Sequence, residues 1–299
     1  MIQAPEYDLL RESAGAVVRA RGKLVLRGAE AAAFLQGQVT NDVEGLEPGT
    51  GCYALLLTHK GKVRMDMRIL RGADWLWIDC AKGALPVLDH MIRTYGIGRD
   101  IRPEDVTDSR ALTSVIGPAA RERLGVDVPD DEHAFVEAGD GLFVATDLGV
   151  DVIGRTEPEV EPVSEEAAET VRIESGRPRF GLDFGADTIP EEAGLNERGV
   201  SFTKGCYVGQ ETVARLHYKG KPNRHLRGMR LSAEAERGEE LRLGERVVGV
   251  LGSTAVSPVH GPIALALVRR EAEPGDTVEV GSGGTTAEVV ELPFRRNSG

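Results

Sequence analysis

The chain has 299 residues and a formal charge of −12, from 36 basic and 48 acidic side chains. That balance argues against a general nucleic-acid-binding surface, which would be basic, and so against nucleic acid as a direct ligand. A hydrophobic content of 41% with 28% charged residues is globular, and the length accommodates two or three domains around sizeable cores.

Three cysteines, Cys52, Cys80 and Cys206, are widely spaced, with no CxxC or HExxH pattern, so no metal-ligand spacing is present. Reduced thiols of this kind fit a cytoplasmic protein. The first ten residues include Glu6 and Asp8 and lack a basic and apolar leader pattern. No apolar run approaches the roughly 20 residues that a membrane helix needs, so no membrane partner is expected.

Val17 to Ala20 and Lys23 to Leu26 read as short strands around Arg21-Gly22. Gly28 to Phe34 is alanine-rich and helical in propensity. Tyr53–Leu57 and Val63–Leu70 read as strands around the turn Lys60-Gly61-Lys62, and Asp74 to Asp79 as a third. Cys52 and Cys80 fall in or beside these apolar strands and read as structural. Leu85, Leu88 and Ile92 have helical spacing that stops near Gly96. From Thr107 to Asp151 the pattern is strand-rich, with one short helix from Ala119 to Leu124. Residues 156–169 read as an acidic connector leading into a helix through Val171 and Ile173, and 176–199 as mostly irregular. From Leu226 to Leu292, short strands alternate with turns, including Gly281 to Gly284, as in a small β-barrel or sandwich. Pro293 to Gly299 reads as a basic, frayed tail.

The densest chemistry lies in Lys204-Gly205-Cys206-Tyr207-Val208-Gly209-Gln210-Glu211. A thiolate is a reactive species whose pKa falls beside cations, and Lys204, two residues from Cys206, would share its face on a strand. Gln210 and Glu211 open a helix or strand running to Leu216. Tyr207 is suited either to stacking on a planar ring or to core packing. From Arg215 to Arg230 there are six Lys or Arg and two His residues and no acid, a local reversal of the overall charge that suits an anionic tail, an RNA phosphate backbone or an acidic partner as well as a solvated linker.

The run K-G-C-Y-x-G-Q-E resembles the signature of the YgfZ-type folate-binding proteins, a branch of the superfamily of the glycine cleavage T-protein (aminomethyltransferase). Further segments carry the same resemblance: Ala33 to Val43 (AFLQGQVTNDV), Leu55 to Val63, Arg172 to Pro178, Pro190 to Leu195, Val247 to Ser253 and Ile263 to Val268. It implies an α+β fold of three lobes, with antiparallel sheets and packed helices. Residues 1–222 would form two lobes that bind folate, and 223–299 a C-terminal β-barrel. A central channel would lie where the lobes meet, lined by the signature loop. The implied cofactor is tetrahydrofolate or a one-carbon derivative.

The implied role is that of an accessory protein in iron–sulfur cluster assembly or repair. Its partners would be iron–sulfur enzymes, including tRNA-modifying ones, or assembly proteins. Cys206 would be the working thiol with Lys204 beside it. Glu174 corresponds to the glutamate that binds the pterin, and Tyr207, Gln210, Glu211, Arg215 and Asp42 would complete the folate site. One departure bears on chemistry: the T-protein catalytic aspartate aligns near Pro86, with Asp79 and Asp89 nearby. That departure weighs against the alternative, a folate-dependent aminomethyl- or methyltransferase, while a folate-binding module without chemistry is a third reading.

Overall fold

A computed structural model describes residues 4–295. After helix α1 (Ala4–Glu12) come strands β1 (Gly15–Val18) and β2 (Arg21–Arg27), helix α2 (Ala31–Gln36), and strands β3 (Thr50–Leu57), β4 (Val63–Arg71) and β5 (Trp75–Ala81). Helix α3 (Leu85–Tyr95) follows, with Pro86 in its first turn and Gly96 just beyond its end. Strand β6 (Arg102–Asp105) completes an antiparallel sheet of order β3-β4-β5-β2-β6.

Strand alternation explains how this sheet is covered. Met65, Met67 and Ile69 of β4, with Leu76, Ile78 and Cys80 of β5, pack in one core with Phe34 and Leu35 of α2 and Leu88 and Met91 of α3. The opposite face carries Asp66, Arg68 and Asp79, and these meet the second sheet. That sheet contains β7 (Ala111–Ile116), β8 (Phe135–Ala138), β9 (Gly141–Thr146) and β10 (Gly149–Gly154) in the order β1-β7-β10-β9-β8, with short helix α4 (Ala120–Leu124) packed beside it.

Helix α5 (Glu165–Glu174) begins earlier than its apolar spacing implies. Ser164 Oγ accepts from Ala167 N at 3.2 Å, and this cap ends the acidic connector at residue 163 rather than 169. The irregular stretch after it contains a single 3₁₀ turn (Pro190–Ala193) and the short helix α6 (Asn196–Gly199). Helix α7 (Gln210–Lys219) then leads to strands β11 (Arg224–Leu231), β12 (Glu240–Leu243), β13 (Arg246–Ser257), β14 (Gly261–Arg269), β15 (Thr277–Val280) and β16 (Thr285–Val290). These close into a barrel of order β11-β14-β13-β12-β15-β16, and Gly281 to Gly284 is the β15–β16 hairpin turn. The antiparallel sheets and the closed C-terminal barrel match the architecture read from the sequence.

The end of the chain differs from expectation. Phe294 is buried beside Ile173, Ile263 and Leu265, and its amide donates to Glu174 O at 2.9 Å. An aromatic ring here seals the junction between α5 and the barrel, so the described part of this segment is packed. Residues 296–299 of the basic tail lie outside the described residues. Among the described residues, no helix is long and apolar enough to cross a membrane.

Two glycines hold α7 against the β3–β4 turn. Gly209 caps the helix at φ 87°, and a Cβ there would lie 2.5 Å from Thr58 O. Gly61, at φ 73°, would bring a Cβ to 2.8 Å from Thr212. The backbones meet because neither residue has a side chain. Gly209→Ala combines left-handed strain with a clash against main chain, and should destabilise the protein by about 2 kcal/mol or more. Urea unfolding at neutral pH measures this, and a loss below about 0.5 kcal/mol would contradict the packing described.

Candidate functional site

The K-G-C-Y signature does not form a strand, so Lys204 and Cys206 have no shared face. Lys204 Nζ donates to three main-chain carbonyls, Gln36 O (2.6 Å), Val39 O (2.8 Å) and Asn41 O (2.9 Å). An ammonium has three N–H donors, so none remains for the thiol. Burial draws its pKa down to about 8, against the opposing pull of Asp42. Lys204 therefore pins the loop of residues 36–42. In the same loop Asn41 Nδ2 donates to Tyr53 O at 2.8 Å, and Asp42 Oδ1 accepts from Gln36 Nε2 at 2.9 Å and Gly45 N at 3.1 Å.

Tyr207 is buried in the core formed by Tyr53, Leu55, Leu57 and Val213, under the Lys204 ammonium at 5.2 Å, and burial pushes its pKa up to about 12. It packs rather than offering a free face for stacking. Gln210 and Glu211 occupy the first turn of α7, where Glu211 is exposed and favourably placed against the helix dipole. Arg215 is also exposed. The basic run disperses on folding: Arg224 pairs with Asp187 and Glu192, and Arg227 with Glu291, while Lys219 and Lys221 stay on the surface with Arg215.

Cys206 is exposed, whereas Cys52 and Cys80 are buried with pKa values pushed up to about 12 by that burial. The contrast suits one reactive thiol and two structural ones.

The central cavity forms elsewhere, between the two five-stranded sheets. It has a volume of about 230 Å3 and is lined by seven arginines (Arg19, Arg21, Arg68, Arg172, Arg177, Arg179, Arg198) and four aspartates (Asp66, Asp79, Asp147, Asp151), with Tyr53 and His133. None of residues 204–211 lines it, so the expectation that the signature loop does so is corrected. Tyr53 separates the two regions: it belongs to the core that contains Tyr207 and also reaches the cavity. A larger hollow of about 650 Å3 around Arg27, Trp75 and Arg102 contains no orphaned buried polar side chain among the described residues.

An ion network forms the cavity wall. Asp79 accepts from Arg21 Nε at 3.0 Å, Arg68 Nε at 2.8 Å and Trp77 Nε1 at 3.2 Å. Burial alone would raise its pKa, but Arg68 and Arg21 outweigh this and hold it below the usual carboxylate range. Arg68 Nη1 also reaches Asp151 on the other sheet at 2.7 Å. Asp66 accepts from Tyr53 Oη at 2.8 Å, and Arg198 lies over the Tyr53 ring at 4.9 Å.

His133 is 6% exposed, sits at φ 71°, and has no hydrogen bond at either ring nitrogen. Burial, with Arg68 and Arg198 nearby, pushes its pKa down to about 3, so it is neutral at physiological pH. Sequence reasoning missed Tyr53, Asp66, Arg68 and His133. Asp66 and Arg68 had a signal: they are charged residues at alternate positions of a strand whose other face carries Met65, Met67 and Ile69. His133 had none, because its importance comes from packing.

Glu174, expected at the pterin, lies outside this cavity. It is 4% exposed and accepts from Tyr7 Oη at 2.9 Å and Ser257 Oγ at 2.5 Å. These contacts join α1, α5 and the barrel beside a separate pocket of about 300 Å3 lined by Arg11, His260 and Phe294. Two positions earlier on α5, Arg172 points to the cavity side and bonds Asp183 (3.1 Å) and Ser253 (2.7 Å).

The matched family models cover both ends of this architecture: the GCVT N-terminal domain over residues 2–143, and the glycine cleavage T-protein C-terminal barrel domain over residues 224–295. The chain belongs to the glycine cleavage T-protein family. It is 27% identical to the tRNA-modifying protein YgfZ of Escherichia coli O6:H1, over 90% of this chain and 89% of that protein. It is 28% identical to an aminomethyltransferase of Rubrobacter xylanophilus, over 97% and 86%. Its fold matches the crystal structure of glycine cleavage system aminomethyltransferase T from Bartonella henselae with a TM-score of 0.86. That match covers 98% of this chain and 89% of the other at 21% identity.

Three measurements follow from this geometry. Under native conditions one thiol per chain should react rapidly with a disulfide reagent, and all three should react after unfolding; loss of the rapid phase in Cys206→Ser assigns it. Lys204→Met strands three carbonyls and should cost about 2–4 kcal/mol in denaturant unfolding, whereas Cys206→Ser should change stability by less than about 0.5 kcal/mol. The folded pKa of His133 lies below its unfolded value of 6.5, so the unfolded chain takes up this proton first. Its contribution to stability is complete above that pH and is lost as pH falls from 6.5 toward 3. His133→Asn, which tolerates positive φ, should abolish about 2 kcal/mol of the stability lost between pH 7.5 and 5. Identical pH slopes for the two proteins would refute it.

Proposed function

We propose that the protein binds tetrahydrofolate or a one-carbon derivative in the central cavity and acts as an accessory factor for iron–sulfur enzymes, including tRNA-modifying ones, through the Cys206 thiol. The observation that carries this reading is the pairing of an arginine-rich cavity with an exposed cysteine outside it, joined through Tyr53. The relatives named tRNA-modifying protein YgfZ support the process, and the K-G-C-Y-x-G-Q-E signature supports the thiol.

The cavity chemistry fits a folate. The side chains of Arg177 and Arg179 are 34% and 39% exposed, against 7% for Arg68; although paired with Asp147 and with Glu165 and Glu169, they lie nearest solvent, where a glutamyl tail can compete for those partly exposed pairs. Deeper polar groups can meet a heterocycle. Bound tetrahydrofolate carries one-carbon units on N5 and N10, and the chain's own contribution is to bind and orient it.

Aminomethyl transfer is the second reading, favoured by the similarity to an aminomethyltransferase over nearly the whole chain. It needs a carboxylate free to handle a proton at the folate. Of the two carboxylates near Pro86 in sequence, Asp79 is bound by two guanidiniums, and Asp89 lies on α3 paired with Arg93 at 2.7 Å. Asp89 does not line the cavity, and Asp66, which does, accepts from Tyr53 Oη; the accessory role is favoured by the exposed Cys206 and the signature around it.

The deciding experiment measures an iron–sulfur tRNA-modifying enzyme in host cells lacking this gene, complemented with wild type or Cys206→Ala. The expected result is a several-fold loss of modified tRNA that wild type restores and Cys206→Ala does not. Unchanged modification in the deletion strain would remove the accessory role and leave folate-dependent transfer as the reading to test.

A further inference from the structure

Helix α7 carries a surface that the central cavity does not use. Its inner side is pinned: Val213 is buried, and Thr212 meets Gly61 of the β3–β4 turn. Its outer side holds a cluster of aromatic rings. His217 stacks face to face on Phe202 with ring centroids 3.9 Å apart. Tyr218 makes T-shaped contacts with both rings and is still 66% exposed, so most of its ring meets solvent. Cations surround the cluster. Arg215 and Lys219 lie three and seven positions beyond Thr212, on the helix side that faces the turn carrying Lys60, and Lys221 follows the helix end. All four are exposed, and none has an ion pair among the described residues. Glu211 is the one acid between Phe202 and Lys221. The thiol belongs to the same region: Cys206 is four residues from Phe202, so at most about 14 Å separates their Cα atoms.

Four free cations around an open aromatic ring call for a partner that is both anionic and flat. Acidic protein surfaces satisfy the charge alone, because carboxylates avoid the negative face of an aromatic ring. A single nucleic-acid strand satisfies both: its phosphates meet lysine and arginine, and its unpaired bases stack on aromatic rings. A duplex has its bases already stacked and leaves Tyr218 unused. The net charge of −12 does not oppose a local contact of this kind, since fields are screened over about 8 Å at physiological ionic strength. The other arginines nearby are taken: Arg224 is held by Asp187 and Glu192, and Arg227 by Glu291. The free cations are therefore those that border the rings.

We propose that the outer side of α7 is a docking surface for single-stranded RNA, with an unpaired base stacked on Tyr218 and phosphates held by Lys60, Arg215, Lys219 and Lys221. The choice of RNA over DNA rests on the proposed role beside tRNA-modifying enzymes. Phe202 and His217 brace the Tyr218 ring, and the site holds an unpaired loop on the same side of the molecule as the Cys206 thiol.

The test measures fluorescence anisotropy on the full-length chain with a labelled RNA hairpin that has an unpaired loop of roughly seven bases. A blunt RNA duplex, a single DNA strand with the loop sequence and a polyglutamate peptide serve as competitors. The hairpin should bind, and the logarithm of its affinity should fall against the logarithm of salt with a slope of about −2 to −3, as about four phosphate contacts require. Tyr218→Ala should weaken binding by about 5- to 100-fold, and Tyr218→Trp, which keeps a stacking ring, should restore it. Lys219→Ala with Lys221→Ala should make the slope shallower by about 1 to 1.5. Thermal unfolding confirms that each variant folds. Binding of the hairpin by Tyr218→Ala within twofold of wild type would overturn the proposal, as would a duplex that competes equally well. Displacement of the hairpin by polyglutamate at equal charge would assign the surface to an acidic protein instead, and tighter binding of the DNA strand would overturn the choice of RNA. No binding below millimolar at 50 mM salt, about where such contacts are strong, would end it. These measurements on the isolated chain are separate from complementation in cells: an accessory role that survives there with no hairpin bound sinks this inference alone, and a failed accessory role leaves the binding result standing.

Discussion

The buried guanidinium of Arg68 ties the molecule together at its centre. It lies on β4, holds Asp79 on the neighbouring strand of its own sheet, and reaches Asp151 on the other sheet. Two sheets packed face to face usually fill the space between them with apolar side chains. Here a charged crosspiece replaces part of that core, with Leu70, Trp77, Phe135 and Val144 packed on one side of it and a polar cavity on the other. A pair of this kind is costly to desolvate and rewards the fold only when every member is satisfied. Arg21, Arg68, Trp77, Asp79 and Asp151 achieve that among themselves, and Asp66 beside them accepts from the Tyr53 hydroxyl.

The signature is organised by a different constraint. Lys204 collects three carbonyls from the loop before β3, and Gly209 lets α7 rest on the turn after it. Both contacts serve to hold the backbone of residues 204–209 in place. Their result is that Tyr207 points inward and Cys206 outward. A motif that looks like a catalytic cluster in one dimension is, in three, a rigid mount for a single exposed thiol.

Thiol and cavity are thus two regions with one shared wall. Tyr53 packs with Tyr207 on the signature side and donates to Asp66 on the cavity side. Lys204, Asn41 and Arg198 all act on the segments around that ring. The barrel is fastened to the same framework by Asp183, which accepts from Ser253 N at 2.7 Å and from Arg172, and by Glu174 through Ser257. The glutamate of α5 is then a joint between domains, a role that its family position does not disclose.

Local sequence determined most of the elements, because they depend on short-range physics. The apolar run of Thr50–Leu57, the alternation in Val63–Arg71, the Pro86 start and Gly96 stop of α3, and the glycine turn at residues 281–284 are all local signals. The ordered motifs also carried the family. Tertiary structure alone decided which charged groups meet. Arg68 and Asp151 are 83 positions apart, and Glu174 and Ser257 likewise 83. Whether a carboxylate is neutralised or left free depends on where cations from distant strands come to rest. Local spacing could nominate Cys206 as the exposed thiol, but it could not show that Lys204 turns away from it, that Glu174 leaves the cavity, or that Asp66 is held there by the Tyr53 hydroxyl.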